Sequence, residues 1–299
     1  MNWSGVIPAI TTPFKTDGTV DHDFLARHAH WMVEAGCTAI VPLGSLGEGG
    51  TLKFHEKLEV LETCVRAVGE RVPVAAAIAA LSTDEAVHLA RAAGNAGCAG
   101  LMILPPYVYS TDWREMKAHV ATVLGSTPLS CMLYNNPIAY RTDFLPEQIA
   151  ELAREHPNLH AVKESSADVR RITSIRSLLG DRLAILVGVD DLIVEGIEAG
   201  AVGWIAGLVN ALPHESVALF ELAKNGRRDE ARALYQWFLP LLRLDTVPKF
   251  VQLIKLVQEE VGMGSARVRP PRLALAEEER EAALSVIRAA LAARAQARQ

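Results

Sequence analysis

The most constraining feature of this sequence is an unbroken series of short apolar runs that alternate with longer amphipathic segments. Two consecutive parallel strands need a crossover of about a dozen residues or more between them, usually a helix, so this alternation predicts a parallel sheet. Each strand-helix unit occupies about 20 to 35 residues, and eight such units fill a closed barrel. The predicted strands are 6–11, 39–41, 74–78, 100–104, 129–134, 159–163, 183–187 and 203–205.

Residues 1–225 are therefore predicted to form one α/β domain, a (β/α)8 or TIM barrel. The alternative, an open doubly wound sheet, would need a glycine fingerprint after the first strand, and Thr12-Pro13-Phe14-Lys15 is not one. Residues 226–299 differ because helical stretches follow one another there with no strand candidate between them. These stretches are 228–242, 247–261 and 277–295. We expect a C-terminal helical extension that packs against the barrel or a neighbouring subunit.

Several predicted helices carry recognisable start signals. Asp21, Ser82 and Asp112 each precede an amphipathic segment, where a short polar side chain can accept a hydrogen bond from the free N–H groups of the first turn. Pro146 opens a further segment, and proline is favoured in the first turn of a helix.

Composition excludes several classes of partner. The chain has 299 residues, with 30 Lys and Arg against 35 Asp and Glu, and a net charge of −5. Such a chain has no electrostatic reason to bind nucleic acid or an anionic membrane surface. No apolar run approaches the roughly 18 residues that span a bilayer, and no export signal is visible at the start. We expect a cytoplasmic protein with no nucleic-acid and no membrane partner.

The pattern of cysteines and histidines gives no metal signature. Cys37, Cys64, Cys98 and Cys131 lie far apart, so we expect small buried side chains rather than disulfides or zinc ligands. The nine histidines include no H-E-x-x-H motif. The sequence therefore predicts no metal site.

The most informative candidate residue is Lys163. A barrel carries its working residues at the C-terminal ends of its strands, and Lys163 closes the predicted sixth strand. Desolvation in the barrel mouth lowers the pKa of a lysine and makes the neutral amine available to attack a carbonyl group. The structural alternative is a buried ion pair between Lys163 and a carboxylate.

Two further strand ends carry polar candidates. Gly44, Ser45, Leu46 and Gly47 follow the predicted second strand, where glycines let backbone N–H groups hold a small anion such as a carboxylate. This segment is not a P-loop, and its structural alternative is a tight strand-to-helix turn. Tyr134 ends the predicted fifth strand, where its alternative role is a core ring with a hydrated hydroxyl.

These strand ends meet at one rim if the barrel is correct. Imine chemistry on a 2-oxo acid needs a carboxylate site, a nucleophilic amine and a proton relay. The glycine-rich loop with Ser45 would hold the carboxylate, Lys163 would condense at C2, and Tyr134 would relay protons to and from the carbinolamine oxygen. We therefore expect a covalent imine on Lys163, with no cofactor, nucleotide, flavin or metal.

Over nearly its whole length, the sequence is similar to the dihydrodipicolinate synthase / N-acetylneuraminate lyase family of class I Schiff-base lyases. The resemblance lies in four kinds of segment: the carboxylate loop G-[ST]-T-G-E, the Y-N-x-P motif, the lysine strand end, and two later loops where backbone borders the bound 2-oxo acid. The matching segments here are Gly44-Ser45-Leu46-Gly47-Glu48, Tyr134-Asn135-Asn136-Pro137, Val162-Lys163-Glu164, Gly188-Val189-Asp190-Asp191 and Gly203-Trp204-Ile205.

The resemblance implies a role for each matching residue. Lys163 would form the imine, Tyr134 would relay protons, and Ser45 would contact the carboxylate and the tyrosine. Together with the helical extension, the resemblance also implies a homotetramer built of dimers, acting on a small 2-oxo acid or cyclic imino acid. The candidate substrate-binding residues are Gly44, Leu46, Gly47, Tyr107, Tyr140, Arg141, Gly188 and Ile205.

Departures from the family pattern narrow the expected activity. Leu46 replaces the second hydroxyl of the carboxylate loop, and Arg141 is displaced from the arginine with which the synthases grip an aldehyde co-substrate. Val108 replaces the tyrosine that reaches into a neighbouring subunit's site. Tyr109 is one position further, and in extended chain it would point the other way. A lysine-biosynthesis synthase is therefore disfavoured.

The motifs are most similar to a branch that eliminates rather than condenses. It includes 1-pyrroline-4-hydroxy-2-carboxylate deaminases of hydroxyproline degradation and 2-keto-3-deoxyarabonate dehydratases, and both produce 2-oxoglutarate semialdehyde. We expect the deaminase first and the dehydratase as its alternative. A synthase-like enzyme or a 2-oxo acid retro-aldolase that releases pyruvate stays open, as does a 2-oxo acid sensor without turnover. A sensor needs no proton relay, which disfavours it.

Overall fold

The strands line a parallel barrel in the computed structural model, which describes residues 1–106 and 112–297. All neighbouring strands are parallel, in the order β1-β7-β6-β5-β4-β3-β2. The strands are β1 (Gly5–Pro8), β2 (Ala75–Ile78), β3 (Gly100–Ile103), β4 (Ser130–Asn135), β5 (Leu159–Glu164), β6 (Ala184–Val187) and β7 (Gly203–Ala206).

The segment 39–41 closes this sheet into a barrel between β1 and β2. Parallel bridges join Val41 to Ala9 and Ile40 to Val74. The sequence predicted a strand here, and the segment pairs on both sides but forms no continuous ladder. Pro42 follows it and Pro73 lies beside it, and a proline has no N–H group to donate to a ladder. The predicted barrel is confirmed.

Helices cover the outside of the barrel, and several begin where the sequence predicts. Asp21 accepts a hydrogen bond from the Phe24 N–H, Ser82 caps the third helix, and Asp112 caps the fourth. The helices are α1 (His22–Glu34), α2 (Phe54–Val68), α3 (Thr83–Asn95), α4 (Trp113–Gly125), α5 (Pro137–Tyr140), α6 (Pro146–Glu155), α7 (Arg170–Leu179), α8 (Ile193–Glu198), α9 (Pro213–Lys224), α10 (Arg228–Leu242), α11 (Phe250–Glu260) and α12 (Glu277–Ala297).

The core consists of the strands and the inner faces of these helices. The residues of β2, β3 and β7 are all buried, as expected for parallel strands covered on both sides. The four cysteines are free, and all four are buried as predicted. Within the described ranges, no helix is both long and apolar enough to cross a membrane.

The C-terminal extension is tied to the barrel by a buried ion pair. The Nζ of Lys255 in α11 lies 2.6 Å from Glu48 Oε1, and both side chains are almost fully buried. Lys255 also donates to the backbone oxygen of Thr12 at 2.8 Å. Because Glu48 ends the glycine-rich loop, α11 holds that loop from outside the barrel.

Candidate active site

Lys163 and Tyr134 are the centre of the barrel mouth. Lys163 lies on β5 and Tyr134 on β4, and the two are direct register partners, so their side chains project on the same side of the sheet. The Lys163 Nζ lies 4.0 Å from the centre of the Tyr134 ring. Both residues are buried, with 6% and 5% of their surface exposed.

Burial tunes the Lys163 amine towards its neutral form. It lowers the pKa of Lys163 to about 8, against the opposing charges of Asp245 and Asp190. Among the described residues, no carboxylate oxygen lies within 4.0 Å of Nζ. Lys163 is therefore not locked in a close ion pair, and a substantial fraction of the amine is neutral near pH 7.5.

Gly188, directly after β6, makes room for the Lys163 side chain. A Cβ atom at residue 188 would lie 2.0 Å from Ser165 Oγ, 2.5 Å from Lys163 Cε and 2.7 Å from Lys163 Cγ. Two carbon atoms in favourable contact are about 3.5 Å apart. Any other residue type at this position would therefore displace the lysine.

A chain of hydroxyl groups connects the glycine-rich loop to Tyr134. Ser45 Oγ is hydrogen-bonded to the Tyr140 hydroxyl, and Tyr140 in turn bonds to the Tyr134 phenol. The rings of Tyr140 and Tyr134 pack edge to face, with centroids 5.8 Å apart. Burial raises the pKa of Tyr134 to about 12, and Asn136 Nδ2 donates to its hydroxyl at 2.9 Å. Tyr134 is therefore protonated at neutral pH and connected to a path for proton transfer.

The backbone of the glycine-rich loop has the geometry of an anion site. Within the part of the chain that the structure describes, no backbone N–H of residues 44–47 donates to a protein acceptor. Leu43 and Glu48, at the two ends of the loop, adopt left-handed backbone angles, with φ of 69° and 52°. Left-handed residues of this kind are costly and concentrate at functional sites. Leu46 is buried and presents no hydrogen-bonding group.

Two carboxyl groups face the lysine from the other side of the mouth. Both carboxylate oxygens of Asp190 have hydrogen-bond donors, namely Trp204 Nε1 and the N–H groups of Gly207 and Leu208. Asp245 reaches the mouth from a 3-10 turn between α10 and α11. Burial raises the pKa of both groups, that of Asp190 to about 6.

The structure thus brings most of the predicted site residues together. Lys163, Tyr134, Ser45, Tyr140 and Gly188 are connected by the contacts above, and the loop glycines Gly44 and Gly47 lie beside Ser45 in the chain. Ile205 is buried on β7. Arg141 is exposed, at the C-terminal end of α5.

Three residues discussed from the sequence lie outside the described ranges, and one carboxyl group of the site was not predicted. Tyr107, Val108 and Tyr109 lie outside the described residues. Asp245 was not predicted. The available signal was a single carboxylate that follows an apolar stretch, residues 238–244, in which only Arg243 is charged. Among the described residues, no cluster of three or more histidine, cysteine or acidic side chains could hold a metal ion.

Comparisons with known proteins identify the family of this chain. Residues 2–290 match the model of the dihydrodipicolinate synthetase family. A 4-hydroxy-tetrahydrodipicolinate synthase of Geotalea uraniireducens is 34% identical over 279 residues, which cover 92% of this chain and 94% of the relative.

Solved structures show the same fold. A dihydrodipicolinate synthase from Bacillus anthracis superposes with a TM-score of 0.92 at 27% identity, over 96% of this chain and 98% of that one. A chloride-inhibited dihydrodipicolinate synthase from Acinetobacter baumannii, complexed with pyruvate, gives a TM-score of 0.90 at 28% identity, over 97% and 99% of the two chains.

Proposed function

The chain belongs to the dihydrodipicolinate synthetase family of Schiff-base lyases, and within that family we propose that it acts as a 1-pyrroline-4-hydroxy-2-carboxylate deaminase. The products would be 2-oxoglutarate semialdehyde and ammonia. Imine chemistry of this kind needs no external cofactor, because a lysine of the enzyme supplies the amine.

One observation carries this proposal over a condensing synthase. In the segment that follows Tyr134, the side chain that joins the site is a phenol, Tyr140, which packs on Tyr134 and bonds to Ser45. The nearby Arg141 is exposed. A synthase must hold an anionic aldehyde co-substrate, for which a guanidinium group is well suited, whereas elimination from a single bound substrate needs proton donors and acceptors.

The proposed reaction assigns a role to each of these groups. The neutral Lys163 amine adds to C2 of the cyclic imine, and the ring nitrogen leaves C2 as an amine, which opens the ring. Tyr134 transfers protons during this exchange through the hydroxyl chain with Tyr140 and Ser45. The unused N–H groups of residues 44–47 bind the substrate carboxylate.

Elimination then occurs on the enzyme-bound imine. Loss of a C3 proton gives the enamine, whose electrons expel the 4-hydroxyl group and form a C3=C4 double bond. Loss of a C5 proton and protonation at C3 move the double bond to C4=C5, and protonation at C4 with loss of a proton from nitrogen then gives an imine at C5. Hydrolysis at C5 releases ammonia, and hydrolysis at C2 releases the semialdehyde and the free lysine.

A second candidate is supported by the relatives rather than by the site. The Geotalea relative is named a 4-hydroxy-tetrahydrodipicolinate synthase, and the Acinetobacter structure contains pyruvate. A synthase or a retro-aldolase would use the same lysine, tyrosine and serine, because both reactions pass through an enamine at C3. The difference lies in whether a C–O or a C–C bond is cleaved or formed.

A substrate panel with two coupled readouts distinguishes these reactions. The panel holds 1-pyrroline-4-hydroxy-2-carboxylate, 2-keto-3-deoxyarabonate, 4-hydroxy-2-oxoglutarate, and pyruvate with the synthase's aldehyde co-substrate. The readouts are 2-oxoglutarate semialdehyde, through its dehydrogenase, and pyruvate, through lactate dehydrogenase. Semialdehyde and ammonia from the first compound support the proposal, and semialdehyde from the second supports the dehydratase. Pyruvate release or consumption instead of semialdehyde would refute both.

The covalent step has its own test. Borohydride added during turnover is expected to trap a substrate adduct on the wild type, located at Lys163 by peptide mass spectrometry. Lys163→Ala should give no adduct and no turnover, while Lys53→Ala, at an exposed position, should behave as the wild type. An active and correctly folded Lys163→Ala enzyme would contradict the mechanism.

Two predictions on the state of the protein stay untested. The homotetramer expected from the resemblance can be measured by light scattering coupled to size-exclusion chromatography. The cytoplasmic location expected from the sequence can be measured by cell fractionation.

A further inference from the structure

The side chain of Asp245 enters the active site from outside the barrel. Asp245 ends the 3-10 turn Arg243–Asp245 and lies against Gly207, which follows β7. A Cβ atom at residue 207 would lie 2.6 Å from Asp245 Oδ2 and closer still to Oδ1. Only glycine at this position leaves space for the carboxyl group.

Asp245 and Asp190 are close neighbours with opposite hydrogen-bonding states. Three N–H groups, of Trp204, Gly207 and Leu208, donate to Asp190, and hydrogen bonds to a carboxylate stabilise its charged form. Asp245 Oδ1 is buried and has no hydrogen-bond partner among the described residues. Two acids in one site whose environments differ in this way are typical of a divided acid-base role.

The charges around Asp245 favour its neutral form. The groups that act on it are Asp190 and Asp191 from the loop after β6, and Lys163 from β5. Burial raises the pKa of Asp245 well above its ordinary value, Asp190 and Asp191 raise it further, and Lys163 opposes them. Arg243 on the same turn is directed to Asp191, with its Nε 3.5 Å from Asp191 Oδ2. Burial and the two neighbouring carboxylates therefore both favour the protonated, proton-donating form of Asp245.

Asp245 lies near Lys163 but outside ion-pair contact, which leaves room for part of a substrate between them. No oxygen of Asp245 lies within 4.0 Å of Lys163 Nζ, yet the two groups influence each other's pKa. A substrate bound through C2 to Lys163 carries its 4-hydroxyl two carbons further on, so that the hydroxyl can lie between the lysine and the acid.

We propose that Asp245 is the general acid that protonates the departing 4-hydroxyl group of a substrate bound as an imine to Lys163. This inference rests on the elimination proposed above and adds the residue that makes hydroxide a viable leaving group.

The step is balanced without any further reactant. The enamine nitrogen returns its electron pair to the N=C2 bond, the C2=C3 electrons form the C3=C4 bond, and the C4–O bond breaks. The Asp245 proton moves to the departing oxygen, so that water leaves and an Asp245 carboxylate remains. No atom is oxidised or reduced overall by an external partner.

The test compares Asp245→Asn with a control at a surface acid, Asp181→Asn. The amide has the shape of the carboxyl group but cannot act as the acid. The control removes an exposed carboxylate that is paired with Arg176 and has no part in the site. For Asp245→Asn we expect kcat with the 4-hydroxy substrate to fall by about 10²- to 10⁴-fold, the range of general acid catalysis. Asp181→Asn should stay within about threefold of the wild type.

A substrate with a different leaving group separates proton donation from positioning. Chloride needs no proton to depart, so Asp245→Asn should process the 4-chloro analogue within about tenfold of the wild type. Borohydride trapping with pyruvate verifies that the variant folds and forms the imine.

Each result has a definite meaning. Equal losses on the hydroxy and chloro substrates would overturn the inference, and so would a fully active Asp245→Asn. The wild-type arm reports on the proposed function separately: if the wild type releases no semialdehyde from any 4-hydroxy substrate, the elimination itself fails, whatever the variant does.

Discussion

Replacing Gly188 by alanine tests the packing that positions the nucleophile. The new Cβ would lie 2.0 Å from Ser165 Oγ and 2.5 Å from Lys163 Cε, whereas a favourable carbon-carbon contact is about 3.5 Å. Both side chains must therefore move, the lysine by about 1 Å. The backbone at 188 is outside the left-handed region, so alanine adds no backbone strain there. A misplacement of about 1 Å can cost about 10²-fold in rate, and overpacking costs about 1–3 kcal/mol in the free energy of unfolding.

The assay separates loss of the fold from loss of the geometry. We expect Gly188→Ala to retain its circular dichroism spectrum and a cooperative urea transition, while kcat/KM falls by about 10²-fold and borohydride trapping slows in parallel. Gly50→Ala is the control. Residue 50 lies close to the glycine-rich loop, but a Cβ there has no atom within 4 Å. Wild-type trapping rates in Gly188→Ala would refute the argument that this glycine exists to admit the lysine.

Three further predictions follow from the same contacts. Burial lowers the pKa of Lys163 to about 8, so the rate of imine trapping should rise about tenfold from pH 7 to pH 9 and then level off. A rate that rises about a hundredfold over this range and continues to rise would indicate a lysine with an unperturbed pKa. Tyr140→Phe keeps the ring packing on Tyr134 but removes the hydroxyl that bonds to Ser45. We expect kcat to fall by about 10²-fold with little change in KM. An unchanged kcat would exclude Tyr140 from the proton relay. Lys255→Met leaves the buried Glu48 carboxylate without its ammonium partner, so the free energy of unfolding, measured in urea, should fall by about 3–5 kcal/mol. Adding Glu48→Gln to this variant should restore much of the loss, and an unchanged urea midpoint in Lys255→Met would refute the argument.

The barrel could be predicted from the sequence because the alternation of strands and helices recurs along the chain. The ends of the strands were less accurate, and the reason is visible at β1. The predicted strand 6–11 extends beyond Pro8, but Ala9 makes only a bridge to Val41, and the Thr11 N–H bonds to the Asn210 side chain. The apolar residues continue beyond the point where the hydrogen bonds between neighbouring strands end. The apolar pattern therefore does not show where the strand stops.

Within the site, predictability depended on which residues the topology places by itself. In a parallel barrel every strand end lies on one rim, so Lys163 and Tyr134 follow from the strand assignments alone. Asp245 does not, because its position depends on how α10 and α11 fold back over Gly207, a contact between residues far apart in the chain. The orientation of Tyr140 likewise depends on α5, a helix of only four residues that hydrophobic periodicity does not reveal.

The boundary at residue 225 stays a prediction, but the helices that follow it contact the barrel residues next to the candidate site. One face of α11 carries Lys255 and Gln258, which bond to Thr12 and Thr11 in the segment that follows β1. Lys255 also holds Glu48, which ends the glycine-rich loop, and α11 begins only five residues after Asp245. The docking of this single helix face therefore fixes two things together: the backbone that would bind the substrate carboxylate and the carboxyl group that would protonate its leaving group. A change that loosens α11 should disturb both ends of the substrate while leaving Lys163, which β5 holds independently, able to form an imine.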